Sequence, residues 1–197
     1  MNTSATTTTN IPTQTFTLTV SGITNPPSTL PTSNFIVTTY YNSNSNALVD
    51  NGTITGITAT KATLNSSQIK ISSSSLRNSD TAVSYYISFV INNRIVSGGF
   101  VLVYFPSTVV FTTSAVPSAC QVGFNSSATS ATTCSVTFNT TYYVFNFSNA
   151  FQSVSGEVGT NVTLAILGSA ANPPTTTPFG PFSIYTRYND GTDVSTM

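Results

Sequence analysis

The chain reads as all-β: an Ig-like β-sandwich whose flanking strands are completed by neighbouring copies. Three observations predict this. Apolar and polar residues alternate along most of the 197 residues, with the period of two that a half-buried strand requires. No window carries a helical period. And the end of the chain repeats its beginning. Phe16-Thr-Leu-Thr-Val-Ser-Gly22 matches Val162-Thr-Leu-Ala-Ile-Leu-Gly168. Both copies then reach Asn-Pro-Pro (Asn25-Pro26-Pro27, Asn172-Pro173-Pro174), a further Pro (Pro31, Pro178), a Phe that opens a strand (Phe35, Phe182) and a Tyr-Asn exit (Tyr41-Asn42, Tyr188-Asn189). The offset is about 147 residues in a chain of 197, so the molecule carries one repeat unit plus the start of another. Interchangeable ends are what head-to-tail assembly needs.

Taken in order, residues 1–10 form a loose polar threonine tail. The first strand, Thr15 to Val20, puts Phe16, Leu18 and Val20 on one face and threonines on the other. Strands follow at 34–41, 52–60 and 68–73. Val83, Tyr85, Ile87, Phe89 and Ile91 line one face of the next long segment, and 94–97 is a short strand. Phe100 to Phe105 is apolar on both faces, which marks a central strand or one capped by a neighbour, and Pro106 ends it. Further strands are expected at 109–113, 120–124, 134–139, 143–147, 161–167 and 181–188. Asp50-Asn51-Gly52 and Asn189-Asp190-Gly191 carry tight-turn chemistry, and Gly98-Gly99 marks a bend or bulge. An Ig-type sandwich takes about 100 residues. The spacing therefore predicts one complete sandwich at 61–168, a donor strand and partial module at 11–60, and the start of a second copy of that module at 169–197.

Composition limits the function. Charged residues are 5% of the chain, the formal net charge is zero, and Ser and Thr make about a third. Such a surface is wetted by hydroxyls and amides, which suits covalent sugar or burial within an assembly. Aromatic content of 11% and a slightly positive mean hydropathy argue against disorder. With no basic stripe, nucleic acid is not an expected partner. No apolar run approaches the length of a membrane span. The opening residues lack the basic and apolar regions of a signal peptide, so the sequence is expected to be a mature or partial chain with an extracellular or cell-surface address.

The chain has no histidine, and its acids are Asp50, Asp80, Glu157, Asp190 and Asp193. Neither a catalytic site nor a cofactor or metal is expected. Asp190 and Asp193 are the one close carboxylate pair, and a hairpin turn explains Asn189 to Asp193 better than a calcium loop does. Cys120 and Cys134 flank a short loop. An even count in a chain of secreted character suggests a disulfide between them. Glycosylation sequons stand at Asn2, Asn51, Asn65, Asn125, Asn139, Asn146 and Asn161. Their number is what chance supplies in so Ser/Thr-rich a chain, so position carries the argument. Asn146 faces away from Phe145 and Phe147, and Asn51 and Asn125 lie in expected turns or loops. The threonines at 6–9 and 175–177 are candidate O-glycosylation tracts.

Two resemblances follow from these residues. Phe16 through Pro27, combined with Phe105-Pro106, Cys120 and Cys134, resembles the Ser/Thr/Asn-rich Ig-like repeats on surface proteins of microbial eukaryotes. The free alternating strand at 15–20 resembles that of fibril and pilus subunits which assemble by donor-strand exchange. Together they imply a structural subunit of an extracellular fibril, partnered by other copies of itself and carrying covalent glycan. Phe16, Leu18 and Val20 would then be the assembly anchors. The alternatives are a cell-surface adhesin or glycan-binding module, with Tyr40, Tyr41, Tyr142 and Tyr143 as a stacking platform, and one segment of a long tandem-repeat stalk.

Overall fold

The computed structural model of the protein describes residues 15, 17–40, 48–112, 120–125, 127–152, 154–176, 178–191 and 193–196. Among them the chain forms fourteen strands, a single 3-10 turn at Ser66–Gln68 and no α-helix. The strands are β1 Phe35–Tyr40, β2 Leu48–Ile54, β3 Ala62–Thr63, β4 Lys70–Ser73, β5 Val83–Val90, β6 Phe100–Pro106 and β7 Val110–Phe111. Then come β8 Cys120–Phe124, β9 Ser130–Ala131, β10 Ser135–Phe138, β11 Tyr142–Phe147, β12 Asn161–Ala171, β13 Ser183–Arg187 and β14 Asp193–Thr196.

Two sheets make a sandwich. One runs β10-β11-β6-β13-β14-β3, and the other runs β4-β5-β12-β8-β9 with β7 also pairing with β12. Every pairing is antiparallel except that of β14 with β3. The alternation predicted for residues 83–91 appears as written: Val83, Tyr85, Ile87, Phe89 and Ile91 are buried. Their partners are Val162, Leu164 and Ile166 of β12 beside them and Val101, Val103 and Phe105 of β6 across the core. Rings fill the centre. Phe105 meets Tyr85, Phe111, Phe145 and Phe182, all at 5.0–5.5 Å in edge-to-face contact, which ties both sheets together. As its two apolar faces predicted, β6 is central, lying between β11 and β13.

The disulfide joins Cys120 to Cys134 with a Cα–Cα distance of 6.1 Å. Cys120 opens β8 in one sheet and Cys134 directly precedes β10 in the other. The bridge is therefore a link between sheets, although the two cysteines are close in sequence. Two halves of a sandwich meet at its edge, and a short connection there spans the gap.

Several expectations change. The boundary at 168 falls inside β12, and the residues beyond it complete the sandwich. Ser183–Arg187 pairs with β6 along its length, with Ile184 fully buried, and β14 joins β13 to β3. Asp50-Asn51-Gly52 is no turn but the middle of β2, paired with Val37 to Thr39. Residues 94–97 contribute one bridge, Ile95 to Gly156, because the Gly98-Gly99 turn follows at once. Residues 55–60 lie outside β2, where Gly56 packs so closely on the Thr32 carbonyl that a Cβ would clash with it. The Asn189-Asp190-Gly191 turn forms as expected, with the Gly191 N–H donating to the Tyr188 carbonyl at 2.9 Å and Gly191 at positive φ.

Candidate assembly surface

The expected donor strand does not form a strand. Thr15 and residues 17–21 lie outside every ladder of the chain's own sheets, while Phe16 lies outside the described residues. Leu18 and Val20 are highly exposed, as are Ile23 and Leu30 after them. Downstream, among the described residues β1 and β2 pair only with each other, and every residue of these two strands is exposed. Its base is tied by the Thr32 N–H to the Ile57 carbonyl at 2.8 Å, and by the Ile57 and Gly56 N–H groups to Thr32 Oγ1 and Asn34 Oδ1. Phe35, Ile36, Val37, Leu48, Val49 and Ile54 all face solvent. A two-stranded hairpin is marginal in water without a third element to cover it. Residues 15–54 thus hold the largest run of uncovered apolar side chains in the described chain.

The tyrosines do not gather as expected. Tyr142 and Tyr143 alternate on β11, so Tyr143 turns inward against Phe111 and Phe138, at 5.4 and 4.7 Å, while Tyr142 turns outward. Tyr40 stands on the separate hairpin and Tyr41 is outside the described residues. A different row exists on the outer face of the sandwich. Tyr142, Tyr104 and Tyr185 stand side by side on β11, β6 and β13, with ring centres 6.0 and 5.2 Å apart, and the Arg187 guanidinium lies 5.9 Å from the Tyr185 ring. Alternation within the doubly apolar run Phe100 to Phe105 was the signal for it, since such a run must supply an outer row as well as an inner one.

The sequon asparagines are spread over the molecule. Asn51, Asn65, Asn125 and Asn139 are exposed. Three of them use their side-chain oxygen locally: Asn65 accepts from the Ser67 N–H, Asn125 from the Asn161 N–H and Asn139 from the Tyr142 N–H. Asn146 faces outward as expected but is half-buried, its Oδ1 covered and without a hydrogen bond, and Asn161 is half-buried at the start of β12.

Among the described residues no three His, Cys, Asp or Glu side chains gather in a metal-binding group. The Asp193 carboxylate is held by Arg187 at 2.7 Å and Lys61 at 3.8 Å. Arg94 binds Glu157 at 3.0 Å. That hydrogen bond, with a second from Ser155, holds the exposed Glu157 carboxyl below its ordinary value. No helix among the described residues is long and apolar enough to cross a membrane. No protein-family model matches this chain, and no curated protein is significantly similar to it.

Proposed function

We propose that the protein is a structural unit of an extracellular fibre, joined head to tail to other units by β-strand complementation. The observation that carries this reading is the uncovered apolar segment at 15–54, beside a sandwich that is otherwise closed. In such a joint, main-chain hydrogen bonds supply affinity and alternate side chains set register. Burying Leu18 and Val20 would contribute roughly 1.5–3 kcal/mol each, and the hairpin face would add to that. An uncovered edge of this kind is an aggregation hazard unless a matched partner consumes it. The sandwich is read as Ig-like because successive strands switch between its two sheets, β5 to β6 and β12 to β13 among them. The inter-sheet disulfide and the nearly chargeless surface suit an address outside the cell. Covalent glycan is proposed first at Asn51, Asn65, Asn125 and Asn139, the exposed sequons, and less readily at the half-buried Asn146 and Asn161.

Replacing Leu18 with Asp tests the reading. The variant should fold and melt like the parent, since Leu18 supports nothing in its own sandwich, yet fail to polymerise. Fibres of normal length from the variant, or a parent that stays monomeric at high concentration, would end it.

The outward Tyr142–Tyr104–Tyr185 row favours a second reading, a glycan-binding surface module. The rings pack edge to face, and an outward tyrosine ring can stack on a sugar ring. A glycan array probed with the Leu18→Asp protein, which cannot assemble, separates the two.

A further inference from the structure

The N-terminal segment and the end of the sandwich share more than sequence. Gly22 and Gly168 both adopt positive φ, +78° and +57°. The β1–β2 hairpin matches β13–β14 in register. Thr38, Thr39 and Tyr40 pair with Asn51, Asp50 and Leu48, as Tyr185, Thr186 and Arg187 pair with Thr196, Ser195 and Asp193. Both ladders shift register at the equivalent place, between Thr39 and Tyr40 and between Thr186 and Arg187. In each, one residue of the partner strand is skipped, Val49 or Val194.

Burial separates the two copies. Leu164 and Ile166 are 0% exposed, and their counterparts Leu18 and Val20 are 83% and 61% exposed. Ile184 is 0% exposed, and its counterpart Val37 is 47% exposed. The Asn-Pro-Pro motif shows the same split. Asn172 is a clamp: its Nδ2 donates to the Ser75 and Arg77 carbonyls at 3.0 and 2.7 Å, its Oδ1 accepts from the Tyr85 hydroxyl at 2.8 Å, and its N–H donates to the Asp80 carbonyl at 2.9 Å. Asn25 holds the equivalent position and is exposed. A motif whose groups are satisfied only by the body of a sandwich is thus present twice, with one body in the chain to satisfy it.

We infer that residues 15–54 are the closing three strands of a second sandwich, and that the body they close is a second copy of residues 62–160. In that sandwich residues 15–22 take the place of β12, between counterparts of β5 and β8, and β1 takes the place of β13 beside a counterpart of β6. This deepens the strand-complementation reading and rests on it. It also specifies the acceptor. The sandwich of this chain already holds its own β12, β13 and β14, so the acceptor is a body whose final strands are absent or, in a polymer of this chain, displaced by residues 15–54 of the next copy.

The test places a second copy of residues 55–160 ahead of Thr15 and compares the extended chain with the unextended one. In the unextended chain, kept monomeric at low concentration, amides 17–20 should exchange at unprotected rates. In the extended chain their protection should rise by on the order of 100-fold or more. Thr17→Cys should cross-link to Ser88→Cys of the added body, because Thr163 pairs with Ser88 in the parent sandwich. Thr163→Cys with Ser88→Cys in the parent calibrates that geometry. Unprotected amides at 17–20 and no cross-link, beside a normal calibration link, would overturn the inference. So would an added body that stays unfolded, since the same body folds when β12–β14 close it. Protection without polymerisation of the parent would defeat the fibre reading alone, and polymerisation without the cross-link would defeat this inference alone.

Discussion

Single residues show where the fold holds and where it carries unmet groups. The Thr186 hydroxyl is buried on the inner face of β13 with no hydrogen-bond partner. Thr186→Val keeps the shape and removes the orphaned group, so it should leave stability unchanged or raise it by about 1 kcal/mol in a denaturant titration. Asn172→Ala removes three side-chain hydrogen bonds and strands the Tyr85 hydroxyl. It should cost about 2–4 kcal/mol by the same measurement, whereas Asn25→Ala should cost nothing in the isolated chain. Burial raises the Tyr85 phenol above its ordinary value, so the folded state resists losing that proton. This contribution is complete below the unfolded tyrosine value, about pH 10, and is lost as pH climbs through the folded-state value. Stability should therefore fall in strong alkali, and Tyr85→Phe should blunt that fall. Little of this was legible beforehand. Asn172 stood out only as part of the repeated Asn-Pro-Pro motif, because the loop it clamps lies about 95 residues upstream and periodicity reports only what lies on one strand.

Strands were legible where one face is buried and obscure where pairing decides. The runs at 83–91, 100–105 and 143–147 form as read, since an alternating or doubly apolar pattern has few other places to go. The segment at 15–20 has the same pattern and forms no strand here, because alternation predicts a face to bury and not the partner that buries it. Asp50-Asn51-Gly52 has the residues of a tight turn, yet pairing with β1 holds it extended. The Cys120–Cys134 link was read correctly as a pair, but its span from sheet to sheet was not, since sequence spacing says nothing of which sheet each strand joins. Reducing that bridge should destabilise the sandwich by about 3 kcal/mol in the chain-entropy picture, seen as a lower thermal midpoint in reductant. Phe105→Ala, at the meeting point of four other rings, should cost about 3–5 kcal/mol and lower the midpoint further.

At the scale of the whole molecule, the repeat was visible in the sequence, but its phase was not. Similar ends suggested a unit followed by the start of the next. The ladders show that the shared segment is the end of a sandwich, present once in place and once uncovered. The parallel pairing of β3 with β14 then acquires a mechanical meaning. The chain enters the sandwich along β3 and leaves along β14, and these two strands lie side by side and point the same way, with Ala62 opposite Ser195 and Thr63 opposite Thr196. In a fibre, tension would draw them in opposite directions, so their hydrogen bonds would be loaded together in shear and would not open one after another. Past that clamp, the disulfide spans 14 residues and keeps them out of the extending chain, about 50 Å of slack at about 3.5 Å per residue. A unit joined at these strands would take load as a stiff link, and a reducing environment would turn it into a longer and more yielding one.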